Sequence, residues 1–172
     1  MRARRFFTAA LLLALCACLA AGCGGGSDKA LLESEKKLAG MYRACKTIEL
    51  TDGDVKKTVS TDGLSALGTI RATAVLKRSN GMTRTDEWEG TPLGSVLDAN
   101  EITRPFKELR MEAWDGYVGR VPYEVAVEPR TMLAFRTNGR RIPREDGPVR
   151  LVVPSQDGFF WIRMITRIEV LR

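Results

Sequence analysis

The sequence contains no histidine. Ser-His-Asp and Cys-His catalysis are excluded, because no imidazole is present to relay a proton. Ordinary zinc and copper centres are excluded too, since they draw on clustered His and Cys ligands. Only four cysteines occur, at positions 16, 18, 23 and 45. No phosphate-cradling P-loop and no dinucleotide glycine fingerprint appears. Asp52, Asp54, Asp86 and Glu87 could supply calcium oxygens, but their spacing is not that of an EF-hand loop. These acids are expected to be solvated surface-turn residues.

Charge is absent between Phe6 and Ser27, immediately after the basic Arg2, Arg4 and Arg5. A positive start, an apolar run and small residues ending at Gly22-Cys23 form an export signal. The segment resembles a bacterial lipoprotein signal, with residues 1–22 removed and the Cys23 thiol acylated. Arg4-Arg5-Phe6-Phe7 partly matches a twin-arginine signal, although an ordinary basic start is the preferred reading. An uncleaved span is the alternative, since about 20 apolar residues can cross a bilayer. Either way, the expected location is outside the cytoplasm, on a bacterial membrane facing the periplasm or extracellular side. The expected partners are the lipid bilayer through acylated Cys23, and an anionic small ligand or an envelope protein.

Removing the three signal arginines takes Lys+Arg from 27 to 24 against 21 acids, so the net charge falls from +6 to +3. Half of the basicity belongs to export, and no nucleic-acid partner is implied. Loss of Cys16 and Cys18 and acylation of Cys23 leave Cys45 as the single free thiol. It is read as a small packed hydrophobe.

Residues 23–28 read as a flexible tether. Residues 29–46 follow as an amphipathic helix with Leu31, Leu38, Met41, Tyr42 and Cys45 at helical spacing. Residues 47–172 form one domain. Strands are expected at 48–50, 55–59, 69–77, 82–88, 109–113, 123–127, 132–136, 149–153 and 159–170, with helical turns at 61–67 and 92–99. Ser79-Asn80-Gly81 and Asn138-Gly139 are turn signals. Many short strands with two or three helices give an α+β domain.

Lys77, Arg78 and Arg84 bracket the Asn80-Gly81 turn, and Arg136, Arg140, Arg141, Arg144 and Arg150 recur later. Guanidinium groups and turn N–H groups are the parts of an anion site. Arg150 lies in an apolar run and requires a partner, either a carboxylate such as Asp115 or a bound anion.

Several ordered motifs then define a resemblance. They are Trp88-Glu89-Gly90-Thr91-Pro92-Leu93, Asp115-Gly116-Tyr117, Asn138-Gly139-Arg140, Gly147-Pro148-Val149-Arg150 and Ile165 to Val170. Together they resemble the sulfite-oxidase-type oxidoreductase molybdopterin-binding domain, from about Ile48 to Leu171. The resemblance implies layered mixed β-sheets, a β-grasp-like element and two or three short helices. It also implies a cysteine thiolate on molybdenum after the strand preceding Trp88. Lys77 or Arg78 stands there instead, and neither can replace a soft thiolate. Lys77, Arg78, Asn80, Arg84, Asp115, Tyr117 and Arg150 are the expected cofactor-site residues, with no catalytic residue and no metal ligand named. The preferred expectation is a degenerate domain, without a cofactor, that binds a ligand or partner. The alternative is a molybdopterin-dependent oxidoreductase with altered metal ligation; a third reading is an envelope scaffold.

Overall fold

A computed structural model describes residues 25–77, 81–156 and 158–172. Cys23, Arg78 and Asn80 therefore lie outside the described residues. The chain divides into a unit ending at Lys37 and a unit from Leu38 to Arg172. Helix α1 (Gly25–Ala44) runs across that division. Its expected apolar stripe is not uniform: Leu31 is exposed, whereas Met41 and Cys45 are buried with Met164 against Leu38. No helix among the described residues is long and apolar enough to cross a membrane.

Among the described residues, two five-stranded sheets build the larger unit. The first contains β1 (Thr47–Asp52), β2 (Val55–Ser60), β5 (Glu108–Ala113), β6 (Val118–Pro122) and β10 (Ile165–Leu171), in the order β2-β1-β10-β5-β6. It is mixed, because β1 and β10 run parallel with Leu50 opposite Ile168. The second contains β3 (Ile70–Lys77), β4 (Thr83–Pro92), β7 (Met132–Thr137), β8 (Arg140–Arg141) and β9 (Arg150–Val152). Strands β8 and β9 pair successive halves of β7.

Period-two alternation explains the second sheet's buried face. Ala72, Ala74 and Leu76 of β3 point inward, and Asp86 and Trp88 of β4 share their face. Small Ala72 lies directly opposite Trp88, leaving room for the indole. One hydrophobic cluster joins Ile48, Leu109 and Met111 of the first sheet to Trp88 and Leu133 of the second.

Helix α2 (Leu93–Ala99), inside the helical turn expected at 92–99, starts after Pro92 and buries Leu93, Val96 and Leu97. A 3-10 turn at Thr61–Leu67 is tied to β4 by the Thr91 hydroxyl, which donates to the Leu64 carbonyl at 2.7 Å.

Gly90 has a specific steric task. The β4–β7 register shifts between Glu89 and Gly90. A Cβ at Gly90 would lie 2.5 Å from both the Ala134 Cα and the Leu133 carbonyl oxygen. The Trp-x-Gly step thus permits a close backbone approach that no side chain allows.

Three expectations require correction. Residues 123–127 are not a strand: β6 ends at Pro122, and Tyr123–Ala126 form the short helix α3. Tyr123 there packs edge-on against Phe106, with ring centroids 5.0 Å apart. The long strand expected over 159–170 is shorter. A 3-10 turn covers Gly158–Phe160, Met164 takes φ 53, and extended pairing starts at Ile165. Asp86 is not a solvated turn residue either, because the strand's alternation places it on the buried face.

Candidate functional site

Lys77 ends β3 and pairs with Thr83 across the hairpin, where Gly81 has φ 80. Gly158 packs against this strand end; a Cβ there would lie 2.4 Å from Leu76 Cδ1 and 2.8 Å from the Lys77 carbonyl oxygen. The loop that follows passes β6, because a Cβ at Gly119 would meet Ile162 Cδ1 at 2.4 Å. The 158–162 loop therefore bridges the Lys77 end of β3 and the start of β6.

Asp115-Gly116-Tyr117 is the tight turn between β5 and β6. Gly116 takes φ 84, the Tyr117 N–H donates to Asp115 Oδ1 at 3.2 Å, and the Ala113 N–H donates to the Tyr117 carbonyl at 2.9 Å. The carboxylate closes its own turn, an Asx-type role. The Tyr117 side chain is exposed.

Arg150 opens β9 and is largely buried. Its guanidinium faces Asp146 at 3.5 Å and donates to the Trp161 carbonyl at 3.4 Å. Asp146, not Asp115, is the carboxylate beside it. The correction follows from the turn before β9, which places Asp146 four residues ahead of Arg150. Arg163 shares the same carboxylate at 3.5 Å. Two guanidinium groups thus face one acid. Sequence reasoning missed both Asp146 and Arg163; the latter lay inside the run read as a strand.

Arg84 belongs to a different arrangement. Its Nε donates to Asp86 Oδ2, and the Asn138 amide donates to Asp86 Oδ1 at 2.7 Å. Asn138 and Gly139 both have positive φ in a two-residue turn flanked by paired Thr137 and Arg140, the type I′ pattern. Asp86, Arg84 and Asn138 clamp that turn to β4. The structure brings Lys77 together with the 158–162 loop, while Arg84 serves this clamp.

Thiol chemistry is restricted to Cys45 beyond residue 23. The side chain is fully buried, and burial, with a smaller contribution from the Asp115 charge, pushes its pKa from 9.0 up to about 11. Among the described residues, no group of three His, Cys, Asp or Glu is arranged to hold a metal ion.

Comparison with known proteins agrees with this architecture. Two methionine-sulfoxide reductase catalytic subunits, MsrP, are similar to part of the chain. The protein from Gluconobacter oxydans is 35% identical over a stretch covering 49% of this chain and 33% of the relative. That from Pseudomonas syringae pv. tomato is 29% identical, covering 49% and 30%. The sulfane dehydrogenase SoxCD of Paracoccus pantotrophus shares the fold, with a TM-score of 0.64 at 24% identity over 73% of this chain and 38% of that one. The chain spans about a third of the length of these relatives. Residues 49–172 match the oxidoreductase molybdopterin binding domain along nearly the whole larger unit, and the chain belongs to that family.

Proposed function

We propose that this chain is an exported oxidoreductase-type domain that takes a molybdopterin-like ligand without a protein thiolate on the metal. The family match over residues 49–172 carries the reading. It favours the oxidoreductase alternative over the degenerate module preferred from sequence. A protein thiolate does not fit the residues present: Cys45 is enclosed, and its environment favours the neutral thiol. A pterin dithiolene brings its own sulfurs, so the protein's task reduces to gripping the pterin and its phosphate. Arg150 and Arg163 around Asp146, with Lys77 at the end of β3, are the residues we assign to that grip.

The donor set favours a second reading, in which the domain binds an anion or a partner with no molybdenum chemistry. The histidine-free sequence supports it, as does the missing thiol near Lys77. In both readings the domain is displayed outside the cytoplasm and tethered through acylated Cys23.

The test is protein extracted from membranes of a host that synthesises molybdopterin. Near-stoichiometric molybdenum by elemental analysis, with released pterin fluorescence, supports the first reading. Folded protein free of both sinks it and leaves the second. Intact mass should correspond to a chain beginning at an acylated Cys23; an unmodified chain beginning at Met1 would remove the anchor.

A further inference from the structure

A cleft of about 230 Å³ opens in the larger unit and uses none of the residues assigned above. Tyr42, Ser65, Phe135, Arg136, Arg141 and Pro148 contribute to its walls. Its charged lining residues are two acids, Asp62 and Glu89, and two arginines, Arg136 and Arg141. Asp62, on the rim, pairs with Lys46 at 3.0 Å. Glu89 is shared by two guanidinium groups, Arg71 at 2.8 Å and, more weakly, Arg136 Nε at 3.8 Å. Arg141 has no ion-pair partner among the described residues. Arg144 lies over the Tyr42 ring, 5.9 Å from its centroid, a cation–π contact, and among the described residues it makes no ion pair.

Each acid at the cleft has a cation from elsewhere, Lys46 on Asp62 and Arg71 on Glu89, so Arg141 and the weakly paired Arg136 leave an excess of positive charge, with Arg144 close by over Tyr42. We propose that this cleft is a binding site for a small organic oxyanion, with the anionic head on Arg141 and Arg136 and the apolar body against Tyr42, Phe135 and Pro148. Guanidinium groups offer forked N–H donors suited to carboxylate or phosphate oxygens. The Ser65 hydroxyl supplies a further donor on the wall. Tyr42 and Phe135 supply flat apolar surface beside those donors. An inorganic anion would satisfy the charge but would leave that surface wet.

Benzoate and inorganic phosphate are the probes, titrated into the full chain while arginine Nε–Hε resonances are followed by NMR. The proposal expects saturable benzoate shifts at Arg141 and Arg136, with affinity about tenfold weaker in Arg141→Gln, the usual scale for one charged hydrogen bond. Arg140→Gln, on the same short strand but outside the cleft lining, should bind as the parent does. Three outcomes overturn the proposal. One is no saturable response to benzoate. Another is a response to phosphate alone, which removes the organic ligand class. The third is benzoate binding that survives Arg141→Gln but is lost in Arg150→Gln, which moves the anion to the family site.

Discussion

Replacing Gly90 by alanine tests the steric reading of the Trp-x-Gly step. The added Cβ would lie 2.5 Å from Ala134 Cα and from the Leu133 carbonyl oxygen, and 2.8 Å from the Ala134 nitrogen. All three obstacles are backbone atoms of the central strand β7, so no rotamer change relieves them. Strand β4 would have to move away from β7, disturbing the pairs Gly90–Ala134 and Thr91–Leu133. Overpacking of a well-filled core costs about 1–3 kcal/mol, and a clash confined to backbone belongs at or above the upper end, about 3 kcal/mol. With a urea m-value of about 2 kcal/mol/M, the midpoint should fall by about 1.5 M. Two controls calibrate the result. Gly119→Ala meets side-chain atoms and no backbone, Ile162 Cδ1 at 2.4 Å and Cγ1 at 3.1 Å with Tyr117 Cε1 at 3.4 Å, and should cost about 1 kcal/mol. Gly63→Ala meets nothing within 4 Å and should stay within about 0.5 kcal/mol of the parent. A Gly90→Ala midpoint within about 0.5 M of the parent, at unchanged m, would refute the close-approach argument.

Cys45 makes stability depend on alkaline pH. Its folded pKa of about 11 exceeds the ordinary 9.0, so the unfolded thiol ionises first as pH rises. The neutral-thiol contribution is intact below pH 9 and is lost as pH climbs from 9 to 11, by about 2 kcal/mol. Urea midpoints of parent and Cys45→Ala should diverge below pH 9 and converge towards pH 11; parallel profiles would contradict the buried-thiol reading. Asp86→Ala should cost about 2–3 kcal/mol, because it removes a buried carboxylate serving both Arg84 and Asn138. Asp115→Ala, at an exposed turn, should cost less than 1 kcal/mol, roughly the worth of one local bond. Equal thermal shifts for the two variants would show that the Asp86 clamp adds nothing.

Much of the fold was legible because its signals are local. The strand expected at 69–77 is β3, the helical turn expected at 92–99 is α2, and Asn138-Gly139 gave a two-residue turn. The family resemblance rested on the order of such signals and matches the assigned family over residues 49–172. The helix after Pro122 was hidden because Tyr123 to Val127 has strand-like composition, and contact with Phe106 is tertiary. Met164 was hidden for another reason, since positive φ in a non-glycine residue has no reliable sequence mark.

The candidate site divides in the same way. Sequence by itself determined which chemistry was available: no imidazole, one thiol beyond Cys23, and Lys77 or Arg78 where the resemblance implies a soft ligand. It also showed that Arg150 needed a counter-charge. The local turn sets Asp146 against Arg150, but tertiary structure alone decided that Arg163 shares that carboxylate, because this contact depends on how the loop before β10 returns past β9. It likewise decided that Arg141 and Arg136 face a cleft while Arg84 is spent on a clamp. Composition counts charges, and only the folded chain determines which of them are neutralised.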